Sequence, residues 1–94
     1  MESPAVVAER EQIRLAHDLG QLVYDRRMAL GLTSSELGQR LGMSADEVEA
    51  IELGGVLPVS SDLLARLAAA LDVAVDLHVV PEGRNTVAFV ARAA

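Results

Sequence analysis

Hydroxyls, imidazoles and carboxylates are the reactive side chains available to this sequence, and their spacing builds no catalytic centre. Ser34, Ser35, Ser44, Ser60 and Ser61 are nucleophiles by type, but none stands in a strand–turn–helix elbow, and several fall where a helix needs an N-terminal cap. His17 and His78 have neither a cysteine nor a second histidine at ligand spacing, so no metal site is expected. Gly54-Gly55 lacks the lysine and the spacing of a phosphate-cradling loop. Glu9, Glu11, Asp18 and Asp25 lie along one stretch that reads as the solvated side of a helix. The expectation is a protein that is not an enzyme and carries no cofactor.

The bulk numbers narrow the class. Ninety-four residues can close one modest core, and a composition that is 51% hydrophobic with one Tyr, one Phe and no Trp makes that core aliphatic. The absence of cysteine fits a reducing compartment. No basic-then-apolar leader is present, and no apolar run approaches the roughly 20 residues of a membrane span, so a cytoplasmic protein without membrane contact is expected. The formal net charge is −6, and all eight basic residues are arginine. Such an acid excess opposes indiscriminate attraction to phosphate, because non-specific DNA affinity comes mostly from cationic side chains displacing counterions.

Several elements must position whatever the chain does. Residues 1 to 5, with Ser3 and Pro4, are expected to fray. From about Val6 to Leu30, Ile13, Ala16, Leu19, Val23 and Leu30 recur with an amphipathic helical period, giving one long helix or two joined near Gly20. Thr33 with Glu36 forms a capping box for a second helix that ends near Leu41 before Gly42. Ser44 with Glu47 repeats the box for a third helix, about 45 to 53, whose Val48 and Ile51 face inward and which the Gly54-Gly55 pair ends. After Pro58, Ser60 or Ser61 caps a fourth helix with Leu63, Leu64, Leu67, Ala68 and Leu71 on its core stripe. Beyond Asp72 the period falls to two. Val73, Val75, Leu77 and Val79 alternate with Ala74, Asp76, His78 and Val80, then Pro81 to Asn85 reads as a turn. Thr86 to Ala91 alternates again, with Val87 and Phe89 on one face, which makes a β-hairpin.

Two short capped helices around a glycine-containing turn, Leu32 to Leu53, form a helix-turn-helix whose second helix can enter a major groove. Here the sequence resembles the lambda-repressor-like (XRE) family. Its pattern is matched by Arg27, Gly31 to Thr33, Glu36-Leu37, Leu41 to Ser44, Ile51 to Gly54, Pro58, Leu64, Leu67, Ala68 and Leu71, over about residues 19 to 73. The resemblance implies a mainly α fold, a lambda-repressor-like helix-turn-helix bundle with the hairpin at its C-terminal end. It also implies a structural ion pair between Arg27 and Glu52, and DNA contact at Ser34, Arg40, Ser44, Ala45, Asp46 and Glu49. Family members often carry Gln at the start of each motif helix, where this chain has Ser34 and Ala45. Residues 32 to 54 hold five acids and one base, Arg40. Carboxylates can accept a hydrogen bond from cytosine N4 but repel the flanking phosphates. Two readings therefore stand side by side. In one, affinity for double-stranded operator DNA comes from Arg10, Arg14, Arg26 and Arg40 doubled in a dimer; in the other, the motif is retained only as a scaffold.

Three segments organise these expectations: a helical extension over 1–18, the helix-turn-helix domain over 19–73, and a C-terminal hairpin over 74–94. Alternating strands leave edges that need pairing, so Val75, Leu77, Val79, Val87 and Phe89 are expected to join two copies into a homodimer. The alternative is a hairpin packed on its own helices. A strand after the last helix is similar to that of HigA-type antitoxins. That likeness implies an antitoxin that represses its own operon and covers a basic toxin protein, with residues 5 to 18 as a docking surface and the −6 charge as the steering field. The competing reading is an acidic protein-interaction module that does not touch DNA.

Overall fold

The computed structural model describes residues 3–56, 58–81 and 84–92. Helix α1 spans Pro4–Ala29, α2 Ser34–Leu41, α3 Ala45–Glu52 and α4 Ser61–Leu71; strands β1, Val73–His78, and β2, Thr86–Ala91, follow. The fold is thus mainly helical, with a C-terminal antiparallel hairpin.

The expected fraying at the start does not occur at Ser3 and Pro4. Ser3 caps α1, its Oγ accepting from the Val6 N–H at 3.2 Å, and Pro4 occupies the first turn, where a missing N–H costs nothing. The helix continues without a break through Gly20. A Cβ there would lie 2.5 Å from the Glu52 carbonyl oxygen and 2.6 Å from that of Ile51, so the glycine lets the backbones of α1 and α3 meet. The buried face of α1 is Leu15, Ala16, Leu19, Gly20, Val23 and Arg27. Ile13 and Leu30, expected on that face, are exposed. At about 100° per residue Ile13 points roughly 120° away from Leu19, and Leu15 takes the inward position instead.

Both capping boxes form. Thr33 Oγ1 accepts from the Glu36 N–H and Glu36 Oε1 from the Thr33 N–H, while Ser44 and Glu47 make the same reciprocal pair. Gly42, in the left-handed region at φ 71°, ends α2. Ser60, rather than Ser61, caps α4, and Asp72 ends it at φ 55°, the one non-glycine residue with positive φ among those described.

One aliphatic core joins Leu19 and Val23, Leu37 and Leu41, Val48 and Ile51, the α4 residues Leu63, Leu64, Leu67, Ala70 and Leu71, and Val73 of β1. Ala70 is buried on α4, whereas Ala68 is only half-buried. In the hairpin, Val73 pairs with Ala91, Val75 with Phe89 and Leu77 with Val87. Val75, Val87 and Phe89 pack on the helical core, with β1 against α4 and β2 against α1. The strand stops at His78, leaving Val79 and Val80 exposed outside it. Of the turn cluster, Glu82 and Gly83 lie outside the described residues.

Polar ties hold the hairpin and the α3–α4 loop to the first half of α1. Glu11 Oε2 accepts from the Asn85 N–H at 3.1 Å, and an Arg14 Nη2 N–H donates to the Asn85 carbonyl. Gln12 Oε1 accepts from the Val59 N–H at 3.0 Å. The boundary between residues 18 and 19 therefore falls within a continuous helix, and the residues on either side contact the rest of the fold.

Candidate nucleic-acid interface

Two short helices can present a groove-reading surface only if their relative angle is fixed, and here three contacts fix it. A Cβ on Gly38 would lie 2.6 Å from the Met43 carbonyl oxygen, so glycine allows the turn to close on α2. The Gly20 contact brings α3 against α1. Arg27, 9% exposed, donates from Nε to Glu52 Oε2 at 2.7 Å and from Nη2 to Glu52 Oε1 at 3.1 Å. Its Nη1 donates to the Leu32 carbonyl at 2.9 Å, and the guanidinium lies 5.4 Å from the centre of the Tyr24 ring. The hydrogen bond to Glu52 holds the Arg27 pKa above its ordinary value despite burial. A bidentate pair between planar groups sets both distance and rotation.

With α3 locked this way, Val48 and Ile51 face the core while Asp46, Glu47 and Glu49 face solvent. Ser44 Oγ is committed to the Glu47 N–H as the cap, and Ala45 is half-buried. Ser34, in the first turn of α2, is half-buried too. Ser44, Ala45, Asp46 and Glu49 thus share α3 and its cap, with Ser44, Asp46 and Glu49 exposed. Neither carboxylate makes an ion pair among the described residues.

Arg40 also ties the fold together. Its Nη1 donates to the Ala70 carbonyl at 3.1 Å, tying α2 to the last turn of α4. Arg26 Nε donates to the Leu71 carbonyl at 3.0 Å, and Arg66 Nη2 donates to the Leu41 carbonyl. These three guanidinium groups satisfy carbonyls that a helix end leaves without an intrahelical partner. Arg14 bonds Glu11, Asp18 and the Asn85 carbonyl, and Arg92 pairs with Asp72 at 3.1 Å. Arg14, Arg26 and Arg40, expected to meet phosphate, each also make hydrogen bonds within the chain; the accepting carbonyls of Asn85, Leu71 and Ala70 lie far away in sequence, where nothing in the local pattern marks them.

The expected dimer residues divide in two. Val75, Val87 and Phe89 are partly buried against the chain's own helices, while Leu77 and Val79 are 40% and 68% exposed. In residues 5–18, Leu15 and Ala16 are buried and Glu11, Gln12 and Arg14 serve internal ties; Val6, Val7 and Ile13 face outward. His17 packs beside Gly54, and His78 Nε2 lies 3.3 Å from Asp76 Oδ2 on the exposed strand. Sequence reasoning missed Gly20, Gly38, the Glu11–Arg14–Asn85 tie and a groove between α1 and α3 described below. Only the glycines left any signal, as helix-interior residues that propensity alone disfavours.

Compared with known proteins, the chain matches the family described as "Helix-turn-helix domain" over residues 18–79, well over half its length. It belongs to that helix-turn-helix family, whose members are typically DNA-binding rather than enzymatic, and membership suggests a DNA-binding regulator. The match ends within the segment after β1, so the first strand falls inside it. No curated protein and no solved structure matches the chain. Among the described residues, no helix is long and apolar enough to cross a membrane.

Proposed function

We propose that this chain is a transcriptional regulator of the lambda-repressor-like (XRE) type, a homodimer that occludes a palindromic operator, and the antitoxin and autorepressor of a toxin–antitoxin operon. The observation that carries the DNA-binding part is the rigid outward presentation of α3, with Asp46 and Glu49 exposed on a helix clamped from behind by Arg27. Two such helices spaced about 34–36 Å apart would meet successive major grooves. With most arginines engaged internally, positioning on the phosphates falls to Ser34 and to backbone N–H groups at the starts of α2 and α3, the latter held by the Ser44 cap, and base reading to Asp46 and Glu49 accepting from cytosine N4. Dimerisation is supported by the unpaired outer edges of β1 and β2 and by exposed Leu77, Val79 and Val90. Residues 74–94 are the dimerisation segment in this reading, 19–73 the reader and 1–18 a brace. A cytoplasmic location follows from the role.

A mobility-shift titration of the full chain on its own upstream sequence tests the reading. A shifted species is expected at about 50 mM salt, weakening as salt rises, and Glu49→Gln should change base preference at one position of each half-site. No shifted species at low salt removes operator binding. Light scattering should give a dimer; a monomer at micromolar concentration removes the palindromic mode.

A second reading is favoured by one specific observation, the internal engagement of Arg14, Arg26, Arg27, Arg40 and Arg66 beside an α3 whose fully exposed residues, Asp46, Glu47 and Glu49, are all acidic. It makes the chain an acidic protein-interaction module, with the motif as scaffold.

A further inference from the structure

Alongside the clamp, the C-terminal half of α1 and the end of α3 leave an open groove of about 470 Å³ lined by Gln21, Tyr24, Glu49, Glu52 and Leu53. Leu53 is 76% exposed, the most exposed large apolar residue described, and Tyr24 and Met28, one turn apart on α1, are 43% and 54% exposed. Tyr24 and Leu53 line the groove from the two helices, an exposed apolar pair that a partner's side chains can cover. Glu49, which lines the groove, stands one turn before Leu53, and exposed Asp46 one turn earlier still. The groove thus has an apolar floor and an acidic margin.

We infer that this groove is a docking site for a cationic amphipathic segment of another protein, an element that lays leucine-like side chains on Tyr24 and Leu53 and its Arg or Lys on Glu49 and Asp46. Charge selects that occupant. A second copy laid in the groove, unlike one paired through the hairpin, brings a further −6 against these carboxylates, and a phosphate backbone laid there, unlike the cytosine N4 donors of the proposed operator, meets them without a counter-charge, whereas a basic segment is drawn in. The Glu52 carboxylate is already neutralised by Arg27, so exposed Glu49 and Asp46 are the groups left to be paired. The site deepens the partner-binding side of the function above and does not rest on operator contact. Because Glu49 belongs to both surfaces, a docked segment would cover part of the face of α3 that reads DNA, and the two ligands would exclude one another.

Tyr24 is the only tyrosine and no tryptophan is present, so intrinsic emission reports the groove directly. The probe is a synthetic peptide of about four helical turns, free of Tyr and Trp, with Leu on one face and Arg and Lys on the other. Titrated into the full chain, it should change Tyr24 emission saturably, and backbone amide shifts in the unmutated protein should map to residues 21–28 and 46–53. Leu53→Ser, at a solvent-exposed position, should weaken binding about tenfold, and Glu49→Gln should weaken it with a shallower salt dependence. The proposal is overturned by no saturable change, by equal binding of an oligoarginine lacking the apolar face, by an unaffected Leu53→Ser, by shifts confined to α1 before residue 18, or by emission that depends on protein concentration alone. A mobility shift that fails while the peptide still binds removes operator contact and leaves the groove standing.

Discussion

The two halves of α1 are held by similar chemistry with opposite consequences. In the C-terminal half, Arg27 meets Glu52 with both side chains about nine-tenths buried. In the N-terminal half, Arg14 meets Glu11 and Asp18 at 2.8 Å with much more exposure, and with Glu11 it holds the hairpin through the backbone of Asn85. A buried pair that loses one member leaves an uncompensated charge in the core, whereas an exposed pair exchanges its partner for water at little cost. The first contact is therefore expected to bear on the stability of the whole domain, and the second on how the hairpin sits. Burial, not the residue types, makes the difference.

The sharpest way to break this comparison is Arg27→Ala. It is expected to cost about 3–5 kcal/mol of stability by denaturant unfolding, a large part of what a domain of this size has. A variant with an unchanged midpoint would equate the two halves. Gly20→Ala comes next, at about 1–3 kcal/mol, because its Cβ would collide with backbone carbonyls of α3 rather than with a flexible side chain. Ser44→Ala removes the cap of α3 and should cost about 1 kcal/mol. Arg14→Ala should hardly move the unfolding midpoint, yet hydrogen exchange of amides in 73–78 and 86–91 should accelerate selectively. Acceleration throughout the core instead would show that the hairpin tie is part of the global fold.

Acidification sharpens the same contrast. The hydrogen bonds from Arg14 and from the Asn85 N–H lower the Glu11 pKa below its ordinary 4.5. A carboxyl depressed in the folded state contributes stability above its unfolded pKa and loses it as pH falls through the folded one. The hairpin tie is therefore constant near neutrality and weakens below about pH 4.5, a loss visible as shifts of the Asn85 amide in a pH titration. Glu36, lowered mainly by the Thr33 backbone N–H, should release the α2 cap in the same window.

Much of this architecture was legible because it is local. Thr33 with Glu36 and Ser44 with Glu47 satisfy one another across three residues, so the sequence carries both partners side by side. The change of period at Asp72 likewise announces the hairpin, and its register pairs Val75 with Phe89 as the alternation requires. The face of α1 was harder to read. Ile13 and Leu15 are both aliphatic, and the one that turns inward is Leu15, which shares the i, i+4 row of Leu19 and Val23. The candidate DNA-reading residues were legible as types on a motif. Whether Arg40 was available to them was not, because its carbonyl partner lies 30 residues away.

Sequence alone determined the element order, the capping boxes of α2 and α3, the hairpin and the helix-turn-helix pattern, since each depends on residues within a few positions of one another. Tertiary structure decided which arginines were left to meet a ligand, which hairpin face was consumed by the chain itself, and that Tyr24 and Leu53 flank one groove. Those outcomes depend on carbonyls and side chains brought together from distant segments, and such proximity is set by packing rather than by local preference.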